Sequence, residues 1–141
     1  MNTSDMKAFE EGDILVGATL LNNPEDDHAG PGRIIQFDSN LNLKGTLWTN
    51  NTTHLVGGLK FDSNKDLWAF DSQNCSAIKV NASGEQSDQA DFGDRSFSNV
   101  NFLRNGEILL GEHLTGDESN NKALEGPRKL GTVLPFMPGT E

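Results

Sequence analysis

A few side chains in this chain could do chemistry. Glu112 and His113 are adjacent, and His54 and His28 are the other two histidines. Carboxylate and imidazole together suit a divalent cation. His54 and Arg95 offer a second chemistry. They could bind an anion or exchange a proton, because imidazole titrates near neutrality. The plainer reading is a polar rim, with solvated histidines and Arg95 paired to Asp91 or Asp94. Asp26-Asp27-His28 supplies two residue types of a hydrolytic triad. No Gly-x-Ser-x-Gly elbow supplies a nucleophile, and neither a phosphate loop nor a dinucleotide fingerprint occurs.

Asp62-Ser63-Asn64-Lys65-Asp66 opens like a calcium loop. The pattern then fails, because Leu67 stands where glycine is needed and Gln73 where a bidentate carboxylate is needed. A hairpin turn explains the run better, and Asp38-Ser39-Asn40 reads the same way.

The elements that must position these residues are strands. In His54 to Gly84, Leu59 and Phe61 alternate with Lys60, and Ile78 and Val80 flank Lys79. Between them, Leu67-Trp68-Ala69-Phe70 is a short apolar run bounded by polar turns, as expected of a strand buried on both faces. The pattern repeats. Val100 to Gly111 falls on Leu59 to Phe70 with a shift of 41 residues, and Gly12 to Gly17 falls on Gly106 to Gly111 with a shift of 94. Arg33 to Asp38 aligns with Ser76 to Asn81, shifted by 43. A weaker fourth strand follows at Gly45 to Thr49 and at Ser87 to Phe92. Phe9 reads as the end of a strand before the Glu10-Glu11-Gly12 turn. Gly131 to Phe136 reads as a later strand of the third unit. Trp48 and Trp68 both fall in strands and are expected to pack between sheets.

Four short strands repeating every 40 or so residues is the blade period of a β-propeller. The lines GLKFDSNKDLWAFDSQNCSAIKVNASG and VNFLRNGEILLGEHLTG resemble NHL-type repeats, over about residues 6 to 114. Six-bladed propellers of the gluconolactonase and strictosidine-synthase-like superfamily, and the streptogramin B lyases, share that architecture. The resemblance implies an all-β fold of antiparallel four-stranded blades in an incomplete ring. Blade one covers about 6–53, blade two 54–94, and 95–141 starts a third. Gluconolactonase-like propellers hold a divalent metal, such as calcium, over the channel. By that resemblance Glu112 and Asn99 are the metal-ligand candidates. The lyases use histidine near the channel, but the repeated Pro-His entries of the lyases are absent here.

The repeat also predicts where loops gather. In an up-and-down blade, the connection from second to third strand lies at the same end as the entry into the next blade. Two such connections are long, at 22–32 and 115–129. His28, His54, Arg95, Glu112 and His113 are expected with them on one ligand-facing end, and the turns at 62–66 and 104–106 at the other. Rigid strands carrying long loops are where binding sites concentrate.

Length and charge bound the rest. The chain has 141 residues, too few for a closed ring of about four to eight blades. It is therefore read as part of a longer propeller, as one of several copies completing a ring, or as an open stack able to self-associate through exposed blade faces. The net charge of −10 argues against nucleic acid and anionic membranes as partners. Cys75 is the only cysteine, so no intrachain disulfide forms. The N-terminal residues lack the pattern of a signal peptide, which leaves the cytoplasm as the default compartment. The leading functional reading is a binding or scaffold segment that takes a small molecule or protein on the loop end, with no cofactor. The alternative is part of a metal-dependent gluconolactonase-like hydrolase.

Overall fold

The computed structural model describes residues 4–20, 25, 30–53, 58–93, 96–105, 107–112 and 133–136, with the backbone alone for Asn99, Ile108, Glu112 and 133–136. The described residues form strands and turns and no helix. The first sheet is β1 (Ile14–Thr19), β2 (Gly32–Phe37) and β3 (Leu43–Trp48). The second is β4 (Leu59–Phe61), β5 (Leu67–Asp71), β6 (Ser76–Val80) and β7 (Gln86–Asp91). The third is β8 (Phe97–Phe102), β9 (Ile108–Glu112) and β10 (Val133–Phe136). Every pairing is antiparallel between strands consecutive in sequence, the meander that short hairpin turns produce.

The two central strands of the second sheet, β5 and β6, are buried on both faces, as the continuous apolar run of β5 requires. Strand alternation sends Leu67, Ala69, Ile78 and Val80 to one side, where they pack with Ile34 and Leu47 of the first sheet. Trp68, Phe70, Ala77 and Ala90 go to the other side and pack with Phe97 and Leu110 of the third. Phe92 lies between Phe70, parallel at 6.1 Å, and Phe97, edge-on at 5.0 Å. Successive antiparallel sheets packed face to face in this way are the blades of a propeller-like fold.

The turns at one end share one construction. The amide of Asp62 donates to the Asp66 carbonyl, the Lys65 amide to the Asp62 carbonyl, and the Asp62 carboxylate accepts from the amides of Asn64 and Asp66. Asp38 to Asn42 and Asn81 to Glu85 repeat these bonds. In each, the fourth residue is left-handed: Leu41 at φ 66°, Lys65 at 65° and Gly84 at 86°. The hairpin reading of Asp62 and Asp38 therefore holds. Of the side chains that looked like calcium ligands, Asp62 is occupied by its own turn, its Oδ2 also accepting from the Trp68 indole at 3.0 Å, and Asp66 pairs with Lys79 at 3.3 Å.

One expectation is corrected. Phe9 does not end a strand. Ser4 bridges to Leu47 on β3, and the chain then crosses the first sheet as a strap. The Lys7 amide donates to Gln36 Oε1 at 2.9 Å, the Phe9 amide to the Ala82 carbonyl, and Met6 enters the core between the first two sheets. Phe9 meets Phe61 edge-on at 5.1 Å. The apolar residues of this segment are buried by the neighbouring sheet, so no ladder is needed to hold it.

Candidate functional site

The end of the sheets opposite the aspartate turns is where the long loops were expected. The first long loop leaves β1 at Leu20, whose amide donates to the Pro31 carbonyl at 2.9 Å. Its return residue, Gly32, is buried against Thr49 and Thr52, and a Cβ there would run into Thr52 Oγ1. Those two threonines hydrogen-bond to each other through their hydroxyls. They belong to the segment that crosses from the first sheet to the second, as does Thr53.

Asp71, the last residue of β5, anchors that crossing. Its Oδ2 accepts from the Thr53 amide at 2.6 Å, and its Oδ1 from the amides of Gln73 and Asn74 at 3.1 and 3.0 Å. The carboxylate is only 1% exposed, so these charge-assisted bonds replace water. Asn74 Nδ2 donates to the Asn51 carbonyl at 2.8 Å and ties the same loop to the crossing a second time. On the next boundary, Ser96 Oγ donates to the Ser72 carbonyl at 2.6 Å. The Phe92 amide donates to the Cys75 carbonyl nearby. Ser76, paired with Asp71, is buried with no hydrogen-bond partner for its Oγ.

The neighbours of the candidate residues thus meet at one end. Thr53 precedes His54, Ser96 follows Arg95, and Glu112 closes β9 at the same end. His28, His54, Arg95 and His113 themselves lie outside the described residues, as does the loop at 115–129. The register pairs Glu112 with Phe97 and Asn99 with Gly111, one ladder step apart across an irregularity in β8. Among the described residues, no three His, Cys, Asp or Glu side chains come together as a metal-binding group.

Sequence reading missed Asp71. The signal was present, because Asp71 occupies the repeat position of Glu112 and is followed by turn residues. It also missed the environment of Trp48. Trp68 is core, as expected, but Trp48 is half-buried under the Arg33 guanidinium, 5.3 Å from the ring centroid. With Ser4, Asp5 and Thr46 these two line an open cleft of about 410 Å³ on the outer face of the first sheet.

Three stacked antiparallel sheets with a pinned loop end define the class as propeller-like. Among solved structures, the chain is similar to selenomethionine-substituted virginiamycin B lyase from Staphylococcus aureus. The identity is 12% and the TM-score 0.46, over 92% of this chain and 47% of that one. It is similar to a streptogramin B lyase at 16% identity and a TM-score of 0.46, over 92% of this chain and 46% of that one. The chain spans just under half the length of either. No family model and no curated protein matches it.

Proposed function

We propose that the chain is a non-catalytic binding or scaffold segment of an NHL-like propeller. Its ligand face is built by the loops 22–32 and 115–129 with His28, His54, Arg95, Glu112 and His113. The observation that supports this most is the pinned end itself. Asp71, Asn74 and Ser96 hold the two sheet-to-sheet crossings, so a loop inserted there is carried on a rigid base. Such a base limits the ordering a ligand must impose on binding. The occupant is a small molecule or a protein segment. The test is to shorten 22–32 and 115–129, singly and together, and measure binding of whatever the full chain captures. Loss of binding with an unchanged melting curve supports the face, and retained binding after both cuts removes it.

The second reading is a segment of a gluconolactonase-like hydrolase holding a divalent cation through Glu112 and Asn99. It draws on the closeness of the two along the β8–β9 ladder. It predicts that calcium raises the melting temperature and that Glu112→Ala abolishes the rise, because a ligand bound only by the native state stabilises it. A melting curve indifferent to calcium rejects this reading and leaves the scaffold.

A further inference from the structure

The first sheet lacks a strand that the other two have. By the shifts of 94 and 41 residues, β1 is the repeat equivalent of β9 and of β5. One edge of β5 is paired by β4, and the same edge of β9 by β8. The residues that lead into β1 do not fill that place. Ser4 bridges instead to Leu47 at the far edge of the sheet, and the Asp5 amide donates to the Thr46 carbonyl there at 3.2 Å. Among the described residues, β1 is paired on one edge only, by β2.

The ladders fix which backbone groups lie on the open edge. The Leu20 amide donates to the Pro31 carbonyl, on the side of β2. Amide directions alternate along a strand, so the amides of Ile14, Val16 and Ala18 also point to β2, and those of Leu15 and Gly17 point to the open edge. The repeat agrees. Gly17 is equivalent to Phe70, whose amide donates to the Gly58 carbonyl just before β4 at 3.1 Å.

β1 also has the sequence of an interior strand. Ile14 to Thr19 carries no charge, no proline and no break in register with β2. Those are the devices that keep an exposed edge from pairing. The strands on the other side of the sheets have them: Lys44 on β3, Asp88 and Asp91 on β7, and a register irregularity in each ladder. Ile14 and Val16 are 39% and 41% exposed, whereas their equivalents Leu67 and Ala69 are 1% and 0%.

From this we infer that the open edge of β1 takes up an extended peptide strand by edge addition. The donor is another part of the same propeller, not the residues that run directly into β1, so the inference rests on reading the chain as a propeller segment. The registers of β4 and β8 define the chemistry of the added strand. Leu59 and Phe61 stand opposite Ala69 and Leu67, and Val100 and Phe102 opposite Leu110 and Ile108. Lys60 and Asn101 lie between them. The added strand therefore runs antiparallel to β1, with apolar residues opposite Val16 and Ile14 and a polar residue opposite Leu15. That middle residue exchanges both of its backbone hydrogen bonds with Leu15. The two apolar side chains lie beside Ile14 and Val16 and cover the surface those residues now expose.

Amide hydrogen exchange of the full chain by NMR tests this, with and without a capped synthetic peptide of residues 58–63, Gly-Leu-Lys-Phe-Asp-Ser. In the chain alone, the amides of Leu15 and Gly17 should exchange far faster than those of Val16 and Ala18. Millimolar peptide should slow the first two and shift the resonances of β1. Methylating the peptide nitrogen of Lys60, which would face β1, should abolish the effect. Methylating that of Leu59, which faces away, should leave most of it. Leu15 and Gly17 amides already protected in the chain alone would overturn the inference, because the edge would then be filled. No response to the peptide, or equal loss from both methylations, would overturn it too. The signal is read at β1, so failure here leaves the loop-face proposal standing, and binding that survives removal of both loops leaves this edge untouched.

Discussion

The carboxylate of Asp71 holds the backbone amide of Thr53 at 2.6 Å, across the boundary between the first and second sheets. One side chain thereby joins the end of β5, the loop that follows it and the crossing that leads to His54. At this loop end, side chains reach the backbone across the sheet boundaries. At the opposite end, the leading Asp or Asn of each turn accepts from amides of its own turn.

Asp71→Ala should therefore cost more than an ordinary polar truncation. It removes a buried carboxylate that accepts from the amides of Thr53, Gln73 and Asn74, three residues that are themselves exposed. A hydrogen bond to a charged group contributes about 1.5–3 kcal/mol, so a loss of about 2–4 kcal/mol is expected in urea unfolding. Asp71→Asn keeps one oxygen and should lose less. A change below about 0.5 kcal/mol, the size of a surface substitution, would show that the crossing is held by other contacts.

Acid should weaken the strap side of the first sheet. Burial opposes ionisation of Asp13. The Lys44 ammonium at 2.7 Å, the Glu10 amide and the Gln36 amide outweigh it and hold the carboxyl below its ordinary 3.8. The Asn42 amide, foremost among its partners, does the same for Asp38. A carboxyl depressed in the folded state contributes stability above its unfolded pKa and loses it as pH falls through the folded one. Lys44 is raised above 10.5, chiefly by its bond to Asp13, so its contribution fades as pH climbs beyond that value. Lys44→Met should lower the melting temperature at neutral pH and flatten its decline at both extremes. A pH profile of the variant parallel to that of the parent would count against this network.

Leu41 and Gly84 occupy the same left-handed turn position with opposite consequences. Leu41 is 67% exposed, so Leu41→Gly relieves its backbone at little loss of burial. It should stabilise by about 0.5–1 kcal/mol. Gly84→Ala must hold φ near 86° while its Cβ meets Met6 Cγ at 3.0 Å and the Lys7 carbonyl oxygen at 3.1 Å. A loss of about 1–2 kcal/mol is expected, from strain and from displacement of the strap. Thermal melts of the two variants should move in opposite directions.

Asp62→Ala should destabilise the second sheet whether or not calcium is present. Its carboxylate serves the amides of Asn64 and Asp66 and the Trp68 indole. Calcium added to the parent should therefore gain nothing at this turn. The decisive comparison is the calcium response of Asp62→Ala beside that of the parent. A parent-only rise in melting temperature would restore the metal reading of Asp62.

The amino-acid sequence by itself determined the strands, their order and the aspartate turns. Each depends on interactions within a few residues. The alternation of Leu59, Lys60 and Phe61 reads as a strand without reference to the rest of the chain, and Asp62 closes its turn on residues two and four positions on. The 41- and 43-residue shifts then fall on matching cross-strand registers, because one local pattern folds the same way each time. The tertiary structure alone decided which apolar residues meet which. Met6 and Phe9 have the residue types of a strand, yet they form a strap because Gln36 and Ala82, far along the chain, accept from the amides of Lys7 and Phe9. Trp48 and Trp68 look alike in sequence, but only Trp68 has a second sheet over it. Asp71 and Glu112 hold one repeat position, and the clamp at Asp71 exists because the first sheet delivers Thr53 within reach. Which sheet covers which face depends on the stacking of whole blades, and no local spacing of residues encodes it.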